Sequence, residues 1–163
     1  MLPRVPPVLF PFFEWCDASW LGQLIRGNTY MFPFIETVHI MALTILVGAV
    51  FLIDLRLLGM GLPKFTAYRM NQEFRKYMKW GLITILFTGW LLFMSEAKKC
   101  EDNDAFAPKM IMLALAIILQ FTLFRKAVSV DSPSRPLWTK AVALLSLVLW
   151  FGVGAAGRAI GFV

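Results

Sequence analysis

One stretch decides the fold of this chain: PFIETVHIMALTILVGAVFLIDLR, residues 33–56. Its central part is free of charge, and about 20 residues at a rise of 1.5 Å each cross a hydrocarbon core of roughly 30 Å. The stretch therefore predicts a membrane-spanning helix. Ionisable residues stand near its two ends: Glu36, His39, Asp54 and Arg56. Because such side chains are costly in lipid, we expect Glu36 and His39, one turn apart, to face other helices or water.

The whole chain has the composition of an integral membrane protein. Of its 163 residues, 59% are apolar and 16% are charged, whereas about a quarter of the residues of soluble domains are charged. A chain of this length makes one domain, so we expect a single domain covering residues 1–163. A membrane bundle needs no soluble core, because each helix satisfies its own backbone hydrogen bonds. The basic residues behind the net charge of +6 lie in loops between apolar runs, so they predict membrane orientation and not nucleic-acid binding.

Four apolar runs predict four spans, at about residues 33–55, 77–95, 108–126 and 138–162. Short connections between them favour an all-α fold, an up-down bundle of four transmembrane helices.

The segments outside the spans carry their own signals. Prolines in the first dozen residues predict an extended or irregular start. Tryptophan and leucine at helical spacing predict an interfacial helix at residues 17–26, so that residues 1–30 form an extended and interfacial segment. We further expect a short basic helix at residues 64–79 and a polar loop at residues 95–107.

The distribution of lysine and arginine predicts the orientation. The first and third loops hold six and four of them, against two in the N-terminal segment and three in the middle loop. By the positive-inside rule the first and third loops are cytoplasmic. We therefore expect a multi-pass protein of the inner membrane with both termini in the periplasm.

This orientation brings Glu36, His39 and Arg158 to one depth in the outer leaflet, where Lys109 and Glu96 complete a possible ring of ionisable groups. The cluster is compatible with a proton, ion or cofactor site open to the periplasm. It is equally compatible with a structural ion pair, or with an arginine that reaches the nearby interface.

His39 is the only histidine, and a histidine on an apolar helix is compatible with b-type haem. One histidine per chain cannot supply two axial imidazoles, so haem would need a dimer or a methionine such as Met41, Met94 or Met112. We expect bound lipids and no resident cofactor, with haem b at His39 as the alternative. No metal site is expected, since the two cysteines form no CxxC pair.

Three further features have structural interpretations. Cys16 and Cys100 both fall on the outer side and are either a disulfide or two free thiols. Asp54 and Arg56 end the first span and are interpreted as anchors at the inner surface. The letters GVGAAG at residues 152–157 match a nucleotide-binding pattern, but no strand precedes them. They instead predict a close helix–helix contact through glycines 154, 157 and 161.

The pattern Glu36-Thr37-Val38-His39, followed by DLRLLG at residues 54–59, Thr88-Gly89 and AGR at residues 156–158, resembles an uncharacterised family of bacterial four-helix inner-membrane proteins. The resemblance covers nearly all four spans. It implies the four-helix membrane fold without an established activity. Relatives often carry an asparagine and a terminal histidine in the third span, where this chain has Leu119 and Phe124; this departure weakens a shared metal or redox role.

No nucleophile–base pair, metal-ligand cluster or phosphate loop is visible in the sequence, so we expect no enzyme activity. The leading hypothesis is a non-catalytic accessory or assembly subunit of a larger bacterial membrane complex, with membrane lipids and other membrane subunits as partners. The alternatives are a haem-binding electron-transfer subunit that uses His39, and a proton or small-ion conduit.

Overall fold

The computed structural model describes residues 6–60, 64–129 and 137–160, and regular structure in these ranges is helical throughout. A 3-10 turn (Pro7–Leu9) precedes the α-helices, which in chain order are α1 (Phe10–Asp17), α2 (Trp20–Gly27), α3 (Met31–Leu57), α4 (Ala67–Ser95), α5 (Ala97–Asp102), α6 (Phe106–Phe121), α7 (Leu123–Ser129) and α8 (Leu137–Ile160).

Four helical segments are long and apolar enough to cross a membrane: Met31–Leu57, Ala67–Ser95, Phe106–Ser129 and Leu137–Ile160. The predicted all-α membrane bundle with four spans is therefore confirmed. Helix α3 packs along α4 and also contacts α8, while α6 packs mainly on α8. As a result α6 lies at one edge of the bundle.

Two predicted boundaries differ from the structure. The basic helix expected at residues 64–79 and the span expected from residue 77 form one continuous helix, α4. Thr66 begins it, with its side chain accepting a hydrogen bond from the Arg69 amide at 3.2 Å, and no proline interrupts the helix after this cap. The third span is longer than expected, but it breaks at Thr122, whose φ of −110° and ψ of −91° leave the helical region. The predicted residues 161 and 162 of the fourth span lie outside the described residues.

The N-terminal segment is more ordered than its prolines suggested. Pro11 lies in the first turn of α1, where an amide would have no partner within the helix, so it is compatible with the helix. Ser19 caps α2 by accepting from the Gly22 amide at 3.2 Å. A Cβ at Gly22 would collide with the carbonyl oxygen of Met94, so α2 lies directly against the end of α4. Part of the predicted polar loop likewise forms α5.

A small apolar cluster fixes these short helices to one end of the bundle. It contains Phe13, Cys16, Ala97 and Cys100, against which Phe93 and Phe106 pack. The rings of Phe13 and Phe93 meet edge to face with their centroids 5.2 Å apart, and those of Phe93 and Phe106 stack with their centroids 5.5 Å apart. The short helices thus cover the bundle end at which α4 finishes and α6 begins.

The glycines of α8 were expected to permit a close helix contact. In the structure, the glycines that lie at a contact are only partly the expected ones. A Cβ at Gly152 would lie 2.7 Å from the Met112 sulfur of α6, and one at Gly157 would lie 3.5 Å from Lys109. Gly154 has open space, and Gly161 lies outside the described residues. The α6–α8 contact therefore uses Gly152 and Gly157.

Candidate functional site

His39 points from α3 into the groove between α3 and α4. Its Nδ1 lies 2.8 Å from the Thr88 hydroxyl, and that hydroxyl lies 2.6 Å from the Thr84 carbonyl oxygen. The hydroxyl has one proton, which the carbonyl accepts, so the His39 Nδ1–H donates to Thr88. This assignment leaves Nε2 as the nitrogen available to a further partner.

Gly89 makes room for the imidazole. A Cβ at this position would approach the His39 Cε1 to 3.2 Å, closer than ordinary contact. Thr88 and Gly89 therefore act together, since one holds the ring by a hydrogen bond and the other lets it lie against α4. His39 is half-buried as a result.

Lys109 joins this end of the bundle from α6. Its charge acts on Cys100, and its Nζ lies 3.5 Å from the position that a Cβ at Gly157 of α8 would occupy. Lys109 and Gly157, the neighbour of Arg158 in the chain, therefore contact each other at this end of the bundle. Glu96, which was expected to complete the ring, forms an ion pair with Lys99 at 3.1 Å.

The other two members of the predicted trio are more exposed. Glu36 is exposed, and among the described residues its carboxylate forms no hydrogen bond or ion pair. Arg158 is also exposed, and its side chain interacts with at least one other group. Among these three residues, His39 has a specific contact with a neighbouring helix, because its Nδ1 lies 2.8 Å from the Thr88 hydroxyl of α4.

Asp54 is buried within the bundle, one turn before the end of α3. It is 0% exposed, as is Ser146 of α8, and Trp150 one turn further along α8 is 2% exposed. The Ser146 hydroxyl is close enough to act on the Asp54 carboxylate. The geometry is nevertheless not that of a hydrogen bond, and both Asp54 oxygens, Ser146 Oγ and Trp150 Nε1 lack partners among the described residues.

Arg56, the other residue predicted as an anchor at the inner surface, makes a hydrogen bond across the end of α3. Its Nε donates to the Phe65 carbonyl at 2.6 Å and so ties the end of α3 to the residues that lead into α4. Gly59, with φ of +86°, ends α3 in the left-handed conformation that favours glycine, and the Met60 amide reaches back to the Leu55 carbonyl at 2.9 Å.

Both cysteines are free thiols in the structure, and both are buried in the apolar cluster under α1 and α5. Burial raises the pKa of Cys16. Burial also raises the pKa of Cys100 to about 11, an effect that the nearby Lys109 charge partly opposes. At neutral pH both side chains are therefore neutral thiols and weak nucleophiles.

Among the described residues, no three or more histidine, cysteine, aspartate or glutamate side chains are grouped so as to hold a metal ion. A surface groove of about 430 Å³ lies between α3 and α4, lined by Thr44, Ile45, Gly48, Ala49, Leu52, Phe74 and Tyr77. Its lining is mainly apolar, as expected of a surface that faces lipid.

Sequence reasoning missed the partners of the two buried polar groups. The sequence showed Thr88 and Gly89 only as part of the family pattern, and it assigned no partner to His39 or Asp54. Their roles depend on how α3 aligns with α4 and α8, and no local pattern encodes that alignment.

Comparison with known proteins places the chain in a family without describing its activity. Residues 12–163 match the family described as "Family of unknown function (DUF6644)". No curated protein and no solved structure gives a significant match. The match covers almost the whole chain, including all four spans, and agrees with the resemblance seen in the sequence. The chain therefore belongs to DUF6644, a family of unknown function.

Proposed function

We propose that this protein is a non-catalytic accessory or assembly subunit of a larger complex in the bacterial inner membrane, with both termini in the periplasm. The observation that carries the proposal is the exposure of the third span. Only 11% of its most apolar 18-residue stretch is buried within the chain, against 28% to 33% in the other three spans.

The uncovered surface of α6 is one continuous helix face. Helix α6 packs mainly on α8, and its contact with α4 includes a long Gln120–Met78 approach of 3.9 Å. The outward side chains are large and apolar, and each is between 46% and 58% exposed: Met110, Ile111, Leu115, Ile118 and Phe121. We call this set the α6 face.

The spacing on the α6 face suits a second helix. Ile111, Leu115 and Ile118 follow one another at intervals of four and three residues, which is the seam that packs against a neighbouring helix. Lipid chains also cover such a surface, so the proposal commits to a transmembrane helix of a different polypeptide and needs a test that separates protein from lipid.

Photo-crosslinking in native membranes provides that test. A photoreactive amino acid is placed at Ile118 on the α6 face or, as the matched control, at Val148 on α8, which is 64% exposed. The proposal predicts a discrete adduct with another polypeptide from Ile118 and only lipid adducts from Val148. Lipid adducts alone from both positions, or an adduct between two copies of this chain, would contradict an accessory role.

The second candidate is a haem-binding electron-transfer subunit, and the geometry of His39 favours it over a conduit. In a metal-ligating histidine, the N–H of the other ring nitrogen donates a hydrogen bond to a fixed acceptor. His39 Nδ1–H and the Thr88 hydroxyl form such a bond. The optical spectrum of the chain purified after growth with a haem precursor tests it. A haem band that disappears in His39→Ala and shifts in Thr88→Val would support this candidate, and a spectrum without the band would exclude it.

A further inference from the structure

The interface between α3 and α8 contains a second polar site that the proposed function does not use. Phe51 of α3 and Phe151 of α8 meet edge to face, with ring centroids 6.0 Å apart. Because the two helices run in opposite directions, Asp54, one turn beyond Phe51, falls between the levels of Ser146 and Trp150. These two residues lie near the middle of α8, whereas Asp54 lies one turn before the end of α3, so the site is formed where the end of α3 packs on the middle of α8.

All three side chains are withdrawn from solvent and lipid. Asp54 and Ser146 are 0% exposed and Trp150 is 2% exposed, and their polar atoms are without hydrogen-bond partners among the described residues. A buried polar group without a partner is destabilising, and a buried charge without a partner is more so. The unpartnered Asp54 and Ser146 side chains face each other across the interface, and Trp150 lies one turn further along α8, so a group bound between the helices would satisfy these polar atoms.

We propose that Asp54, Ser146 and Trp150 form a buried proton-binding site, in which Asp54 is a neutral carboxylic acid and one water molecule bridges it to the Ser146 hydroxyl and the Trp150 indole N–H. The water accepts from Trp150 and exchanges hydrogen bonds with the carboxyl group and the hydroxyl. A single water has enough donors and acceptors for all three groups.

The set of atoms suits a proton better than a metal cation. A hard cation needs about six oxygen ligands, whereas the site offers one carboxylate and one hydroxyl, and the neighbouring backbone carbonyls are used within the helices. The indole N–H presents a positive edge, which repels a cation but is a good donor to water.

Charged groups on the surrounding elements do not neutralise the carboxylate. Arg56, two residues away, is bonded to the Phe65 carbonyl. Five charged residues on the neighbouring helices are exposed: Arg69 and Glu73 on α4, Arg125 and Lys126 on α7, and Lys140 on α8. Because these side chains are exposed while Asp54 is 0% exposed, none of them is placed to neutralise it, and a proton is the simplest way to remove its charge.

Infrared spectroscopy of the full chain, labelled with carbon-13 at the aspartate carboxyl carbons and reconstituted in lipid vesicles, tests the proposal. Of the five aspartates in the sequence, Asp54 alone falls within one of the four spans. We expect a labelled neutral-carboxyl band at pH 7 in the wild-type protein. It should vanish in Asp54→Asn and persist in Glu36→Gln, which alters another intramembrane carboxylate.

The same spectra test the water. The carboxyl band should shift in Ser146→Ala and in Trp150→Phe but not in Leu144→Ala, which changes an exposed residue of α8. A water O–H band that moves in oxygen-18 water should be lost in Ser146→Ala. If Asp54→Asn fails to fold, pH titration of the labelled wild-type protein still gives the answer. A fully ionised set of aspartates at pH 7 would overturn the proton, and a carboxyl band unaffected by both α8 substitutions would overturn the shared site.

Discussion

The hydrogen bond between His39 and Thr88 gives the sharpest prediction about stability. Replacing Thr88 with valine keeps the shape of the side chain but removes the oxygen that accepts from His39 Nδ1 at 2.8 Å. It also removes the bond from the Thr88 hydroxyl to the Thr84 carbonyl. Thr44→Val is the matched control, because Thr44 is exposed and makes a similar local bond to the Ile40 carbonyl at 2.9 Å.

The expected magnitude depends on the position of the two groups. Thr88 is 6% exposed and His39 is half-buried, so the lost partner leaves an imidazole N–H poorly satisfied. Interhelical hydrogen bonds in membrane proteins contribute about 0.6 kcal/mol on average and up to about 1.7 kcal/mol. Since His39 is partly screened, we expect Thr88→Val to lower the free energy of unfolding by about 1 kcal/mol more than Thr44→Val.

The assay is reversible unfolding in mixed detergent micelles, followed by tryptophan fluorescence and helical circular dichroism. A double-mutant cycle with His39→Phe isolates the pair and should give a coupling of about 1 kcal/mol. Equal losses in the free energy of unfolding for Thr88→Val and Thr44→Val would refute the His39–Thr88 hydrogen bond between α3 and α4, and so would a coupling free energy indistinguishable from zero.

Three further predictions concern packing and titration. Gly22→Ala should lower the free energy of unfolding by about 1–3 kcal/mol, because the added Cβ meets the carbonyl at the end of α4, while Gly27→Ala, in open space, should change it by less than about 0.5 kcal/mol. Gly152→Ala should raise the melting temperature less than Gly154→Ala does, because the flexible Met112 side chain must shift to admit the new Cβ whereas Gly154 has open space, as calorimetry in detergent can measure. Cys100, whose pKa is raised to about 11, should resist iodoacetamide at pH 8 in the folded protein and react on unfolding; since the folded state holds this proton more tightly, stability should fall as the pH rises from about 8.5 toward 11.

The sequence was sufficient for the spans because hydrophobic length is a local property. The run from residue 33 to residue 56 is long enough to cross a bilayer whatever its neighbours are, and the same holds for the other three. Helix ends were harder to place. The start of α4 depends on the Thr66 cap and on the absence of a breaker after it, so the predicted division between a basic helix and a span was wrong.

The candidate sites depended on information that the sequence pattern does not carry. His39 and Thr88 are 49 residues apart, and they meet because of the alignment of α3 with α4. From the sequence, Asp54 was visible only as a charged residue near the end of an apolar run. It is buried because α8 extends past it and places Ser146 and Trp150 at its level.

Native mass spectrometry of the chain, extracted with its surrounding lipid by a copolymer and without detergent, tests the central claim most directly. The account predicts a second, different polypeptide at fixed stoichiometry, lost when Leu115 and Ile118 of the α6 face are replaced by alanine and retained when Leu144 and Val148 of α8 are replaced. A chain that carries only lipid, with or without those substitutions, would contradict it.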